Sequence, residues 1–248
     1  MTIAIGILAQ GGLVVGADSE ESTGYLKSNQ HKLLTVYNGV PVGPPPYPAV
    51  CIFTGAGDSG YVEALIEKLS TVFYDDALPE HALKQALSQR LKEFYKDHVI
   101  PFAAFPENNR PAVELLMAVN RKQHPRLLVT ERTTIRSASP YGTIGIGSTV
   151  AKIVLDALWR PASLDEIGAL AVYVLSVVKE QVEGCGKRSS VMAIDTSQAT
   201  ASMSAERILE LEALFAGKFA REQKNAFWNF VSTNVSSQSV LQMSTDQS

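Results

Sequence analysis

Cysteine is nearly missing from this chain: Cys51 and Cys185 are the only two in 248 residues. Both stand among apolar or small neighbours, so neither a disulfide framework nor a cysteine zinc site can be built from them. His31, His81, His98 and His124 show no ligand spacing, which leaves metal chemistry without a donor set. Long apolar runs are also missing. Nothing approaches the roughly 18 to 20 residues that cross a bilayer, and the first dozen residues carry no basic segment followed by a small-residue cleavage site. Together these absences predict a cytoplasmic protein with no membrane partner. Basic charge is not in excess either, with 22 Lys and Arg against 25 Asp and Glu, so no positive field invites nucleic acid. Charged residues make up 19% and hydrophobic ones 46%, a balance that excludes a disordered or collagen-like chain and supplies an ample core.

What is present reads as alternating blocks of strands and helices. Residues 2 to 9 and 12 to 17 are β-branched and apolar runs broken by Gln10, Gly11 and Gly12, the pattern of a hairpin. A polar stretch from Asp18 to Gln30 precedes a third strand at Lys32 to Tyr37, and a Pro/Gly-rich surface loop follows at 38 to 48. Ala49 to Phe53 reads as a buried strand, and Tyr61 to Tyr74 and Leu78 to His98 as helices. Val113 to Val119, Arg126 to Val129 and Thr133 to Arg136 return to strand patterning. Ser148 to Trp159 is helical, and Ser163 with Glu166 forms a capping box opening a helix to about Glu180. Val191 to Ile194 is a final strand, and Ser204 to Phe230 a long amphipathic helix. No linker separates two cores, so residues 1–230, with a C-terminal helix at 204–230, form a single α+β domain and 231–248 a flexible tail.

Thr2 is ordinary as a strand residue and unusual in its company. Removal of Met1 before a small residue would leave Thr2 with a free α-amine beside its own hydroxyl. That pair is a self-contained nucleophile and base, because an α-amine has an intrinsic pKa near 8. It needs a cation close by and a carboxylate to hold that cation. Asp18, ending the second strand, and Lys32, starting the third, supply both.

On these residues the sequence resembles the proteasome β-subunits and their bacterial threonine-protease relatives, members of the N-terminal-nucleophile hydrolases. Thr2-Ile3, the Gly12–Asp18 run, Ser22-Thr23-Gly24, His31-Lys32-Leu33 and the glycine turn Thr54-Gly55-Ala56-Gly57 carry the resemblance. It covers roughly residues 2 to 195. It implies a four-layer αββα sandwich, peptide-bond hydrolysis without a cofactor, and assembly of copies into a homo-oligomeric ring. Thr2 would be the nucleophile, Asp18 its acid and Lys32 its lysine. The Gly57 amide would be the oxyanion donor, and Ser148, in Gly145-Ile146-Gly147-Ser148, would lie near the amine. Gly55 would floor the substrate pocket, with Thr23 and Ser59 beside it. Two departures stand out: the last catalytic turn reads Val182-Glu183-Gly184-Cys185-Gly186 without the usual Asp and Ser, and Glu20 replaces a basic residue. They keep a non-catalytic structural subunit open as an alternative, beside a small-molecule amidase on the same fold.

Other readings compete. Gly55 to Gly60 satisfies the dinucleotide-binding G-x-G-x-x-G, but no second strand carries a ribose-binding acid about 20 residues on. Gly142 to Gly147 has phosphate-loop spacing with Ser148 where the lysine must be. Lys27 sits in the polar stretch as a solvated charge, Ser189 and Ser190 read as strand entry, and Cys185 as a packed small residue.

Overall fold

The first two strands, β1 (Ile3–Ala9) and β2 (Gly12–Asp18), are apolar on both faces and buried along almost their whole length. Such runs suit strands covered on both sides. Alternation divides them: Ile3, Ile5 and Ile7 face helices, whereas Ala4 packs with residues of a second sheet. The computed structural model describes residues 2–23, 26–29, 32–37, 49–75, 78–105, 111–223, 225–226 and 229. Expectations for the 38–48 loop, the 231–248 tail, Gly24 and His31 fall outside them, as do those for the side chains of Glu20, Thr23 and Lys27.

The chain continues through a short pair, β3 (Glu20–Thr23) and β4 (Leu26–Asn29), where the sequence pointed only to a polar stretch. Then come β5 (Leu33–Tyr37), β6 (Ala49–Gly57) and the helices α1 (Ser59–Ser70) and α2 (Glu80–His98). β7 (Val113–Arg121), β8 (His124–Glu131), β9 (Thr134–Ala138) and β10 (Tyr141–Gly145) follow, then α3 (Ser148–Leu158) and α4 (Leu164–Gln181). β11 (Ser189–Asp195), β12 (Thr200–Ser202) and α5 (Ala205–Leu214) complete the described elements up to a π-helical turn at Phe215–Phe219. Two five-stranded antiparallel sheets result, ordered β10-β1-β2-β11-β12 and β5-β6-β7-β8-β9.

Three apolar clusters hold these elements. Phe53, Leu65, Phe73, Leu87, Phe94 and Leu115 join the second sheet to α1 and α2. Ile3, Ile5, Leu155, Ala171, Leu175 and Leu211 join the first sheet to α3, α4 and α5. Ala4, Leu13, Val15, Ile52, Leu116 and Leu127 belong to both sheets and meet between them. Each fully buried Leu, Ile or Phe contributes about 1.5–3 kcal/mol by leaving water.

Several sequence expectations meet their local cause here. The capping box at α4 is formed: the Ser163 hydroxyl accepts from the Glu166 amide at 3.3 Å, and the Glu166 carboxylate accepts from the Ser163 amide at 3.0 Å. The single helix expected from Ser204 is interrupted. α5 ends at Leu214 and widens into the π turn, which sets the Phe215 and Phe219 rings 5.1 Å and 5.2 Å from Tyr173 of α4. β10 was not visible as a strand because its glycines read as a turn, yet it pairs with β1 from Ile3↔Gly145 to Ile7↔Tyr141.

Candidate active site

Thr2 stands immediately before β1 and is only 6% exposed. The Lys32 ammonium reaches it, donating from Nζ to Thr2 Oγ1 at 2.7 Å and to Asp18 Oδ1 at 2.9 Å. Asp18 ends β2, and the antiparallel register that pairs Ala4 with Ala17 brings it beside Ile3, whose amide donates to Asp18 Oδ1 at 3.2 Å. Lys32 precedes β5 of the other sheet. Hydroxyl and carboxylate therefore come from one sheet and the cation from the other. Asp18 has a further donor: the Gly186 amide lies 3.1 Å from its Oδ2. Three donors on two oxygens fix this buried carboxylate in one orientation, with charge-assisted bonds of the stronger kind.

The glycine turn at the end of β6 is clamped to the segment before β7. Asp58 donates its amide to the Ala112 carbonyl at 2.8 Å, and Ala112 returns its own to Asp58 Oδ2 at 2.9 Å. Gly57 has φ +117°, and a Cβ there would lie 1.9 Å from the Ala112 carbonyl oxygen, so only glycine fits. Gly145 has φ +86°, and a Cβ there would lie 2.1 Å from the Thr2 carbonyl oxygen and 3.2 Å from Ala56 Cβ. Thr2, Gly145 and the Ala56-Gly57 turn thus converge. Gly147 approaches the same strand, since a Cβ on it would come within 2.9 Å of Ile3 Cβ.

The remaining expected site residues are placed unevenly. Ser148 opens α3 one residue past Gly147 and is half-buried; its carbonyl accepts from the Thr143 hydroxyl at 3.4 Å. Ser59 opens α1, two residues past Gly57. Thr23 ends β3 opposite Leu26. The open pocket floor expected at Gly55 does not match the packing: a Cβ there would lie 2.2 Å from Val62 Cγ1 and 3.0 Å from Leu115 Cδ2, so core side chains fill that space. The Gly55–Gly60 run lacks the setting of a dinucleotide loop as well. Its strand, β6, pairs antiparallel with both neighbours and α1 leads to α2, not to a parallel strand.

Two contributors escaped the sequence reading. Gly186 acts through its backbone, and a glycine between Cys185 and Lys187 offers no side-chain signal. Glu114 of β7 stands opposite Ala56 and accepts from the Gly145 amide through Oε2 at 2.8 Å, steadying the backbone that touches Thr2. Glu183, the one carboxylate in the 182–186 turn, is exposed. A cavity of about 580 Å³ lies elsewhere, between α4 and the helix after β12, lined in part by Tyr173, Lys179, Glu212 and Phe215.

No family model matches the sequence, and no curated protein matches it either. Solved structures do match. A Gly-1 mutant of Anbu from Hyphomicrobium sp. strain MC1 superposes with a TM-score of 0.71 at 15% identity, covering 93% of this chain and 99% of that one. Anbu from Yersinia bercovieri, described as an ancestral beta-subunit, gives a TM-score of 0.67 at 15% identity over 98% of this chain and 100% of its own. The Anbu complex of Pseudomonas aeruginosa, described as a helical assembly, gives 0.69 at 13% identity over 97% and 100%. Likeness at this level of identity speaks for architecture, and the architecture of this chain is that of the proteasome-like Anbu subunits.

Proposed function

We propose that this chain is an N-terminal threonine hydrolase, a proteasome-like endopeptidase in which Thr2 becomes the nucleophile once Met1 is removed. The observation that carries the reading is the Lys32 ammonium bridging Thr2 Oγ1 and Asp18 Oδ1. A fixed positive charge beside Oγ1 favours its anionic form and disfavours a protonated amine next to it. The amine then takes the hydroxyl proton, and Oγ1 attacks the scissile carbonyl carbon. The carbonyl π electrons move onto oxygen, where the Gly57 amide donates to them. As the tetrahedral species collapses, the C–N bond breaks and the protonated amine returns its proton to the leaving nitrogen. Water then hydrolyses the Thr2 ester by the same route in reverse. In this reading Ser148 serves near the amine, and Thr23 and Ser59 belong to the substrate side.

The three apolar clusters support a four-layer αββα order of helices, sheet, sheet and helices. The helical assembly of the Pseudomonas neighbour supports a homo-oligomer here too. In this reading the chain acts on peptide or protein substrates in the cytoplasm. Hydrolysis of a fluorogenic peptide panel by wild type and Thr2→Ala tests the reading. The expected result is turnover that Thr2→Ala abolishes at unchanged melting temperature. Equal turnover in both would remove Thr2 from the chemistry, and no turnover of any peptide by wild type would favour a structural subunit.

A further inference from the structure

The turn that donates to Asp18 is itself held from outside the Thr2 cluster. Lys179, near the end of α4, donates from Nζ to the Lys187 carbonyl at 3.2 Å, to Ser189 Oγ at 2.9 Å and to Glu212 Oε1 of α5 at 2.5 Å. The Ser189 hydroxyl in turn donates to the same Glu212 oxygen at 2.9 Å. Lys179 and Glu212 are largely buried, with side-chain exposures of 13% and 22%.

The position of this network gives it a role. Ser189 is the direct partner of Asp18 in the β2–β11 register, so their side chains leave the sheet on the same face. Lys187 adopts φ +57°, a left-handed conformation uncommon for a lysine and favoured by restraints around it. Its carbonyl bond to Lys179 is one such restraint, and the neighbouring Arg188 amide, bonded to Ser19 Oγ at 3.1 Å, is another. Gly186, next in the chain, then presents its amide to Asp18 Oδ2.

We propose that Lys179 and Glu212 are positioning residues for Asp18: through Lys187 and Ser189 they hold the 184–188 turn in the shape that aims the Gly186 amide at the Asp18 carboxylate. α5 thereby takes part in ordering the Thr2–Lys32–Asp18 cluster through the turn. Losing the Glu212 carboxylate leaves Lys179 without its counter-ion and frees the turn. The consequence for catalysis rests on the hydrolase reading, whereas the consequence for the turn does not.

The experiment separates the two. Hydrogen–deuterium exchange is followed on the peptide spanning 183–190 in wild type, Glu212→Ala, Glu212→Gln and Glu210→Ala. Glu210 is the control because it pairs with Arg207 on the exposed side of the same helix. Glu212→Ala is expected to speed exchange of that peptide by about tenfold, with β1 and β7 peptides unchanged, because loss of the latch raises local opening. Glu212→Gln, which keeps an acceptor, recovers part of the protection, and Glu210→Ala behaves as wild type. Inactivation by a peptide epoxyketone is measured in parallel and is expected to slow about tenfold in its maximal rate constant at unchanged half-saturation, the signature of a misaligned group, not lost binding. Should Glu212→Ala fail to fold, Ser189→Ala, which removes one hydroxyl, carries the same measurements. Exchange of 183–190 in the variant equal to wild type would overturn the latch. An uninactivated wild type with accelerated exchange in the variant would overturn the hydrolase reading and leave the latch standing.

Discussion

Lys32 carries two consequences at the scale of the residue. Its ammonium donates to the Thr2 hydroxyl, and it neutralises a carboxylate that is only 1% exposed. Lys32→Ala is therefore expected to lower peptide hydrolysis by orders of magnitude and also to destabilise the fold. Stripping one partner from a buried pair costs on the order of 3 kcal/mol, here moderated by the Ile3 and Gly186 amides that stay on Asp18. Steady-state rates and urea midpoints check both halves; Lys27→Ala should stay within a few-fold in rate with no change in midpoint. Cys51 offers a pH test. Burial pushes its thiol well above the usual value, so the folded state disfavours the thiolate relative to the unfolded state. The sign follows: this contribution is complete below the unfolded pKa of about 8.5 and is lost as pH rises above it. Urea midpoints measured at pH 7.5 and at pH 9.5 should fall further in wild type than in Cys51→Ala. The grouping of Thr2, Asp18 and Lys32 was legible in the sequence because it is made by side chains. Gly186 and Glu114 were not, because one works through its backbone and the other through a register that only the folded sheets create.

Among the elements, the glycine turn and the α4 cap bear the plainest tests. Gly57→Ala forces a Cβ onto the Ala112 carbonyl at a backbone angle that L residues rarely adopt, so the turn must shift. The expected outcome is a loss of about 10²–10³ in kcat, the usual effect of removing one oxyanion donor, with substrate half-saturation nearly unchanged. A rate close to wild type would take the Gly57 amide out of the mechanism. Ser163→Ala removes a formed capping box from the N-terminus of α4, the helix that covers β1 and β2. It should cost about 1 kcal/mol, read as a melting temperature lower by about 2–4 °C, without touching catalysis. The box was legible because its Ser-x-x-Glu spacing is a local rule. β10 and the π turn were not: the first shows itself by pairing with β1, and the second is set by Tyr173 against Phe215 and Phe219, contacts made across the fold.

For the whole molecule, the site lies where the two sheets meet, with Thr2 and Asp18 from one and Lys32 from the edge of the other. Relative movement of the sheets would break the cluster, and the apolar layer containing Ala4, Val15, Ile52 and Leu116 opposes it. Whether this arrangement is an armed nucleophile or a relic of one turns on the amine and hydroxyl of a single residue. A peptide epoxyketone interrogates both at once, since its ketone and epoxide carbons capture the hydroxyl oxygen and the amine nitrogen of one N-terminal threonine in a single ring. The intact mass before and after incubation, followed by sequencing of the N-terminal peptide, is the most direct measurement. An N-terminal threonine nucleophile requires a chain lacking Met1 that gains one inhibitor mass on Thr2, and no gain in Thr2→Ala. A chain that retains Met1 and gains no mass would contradict it.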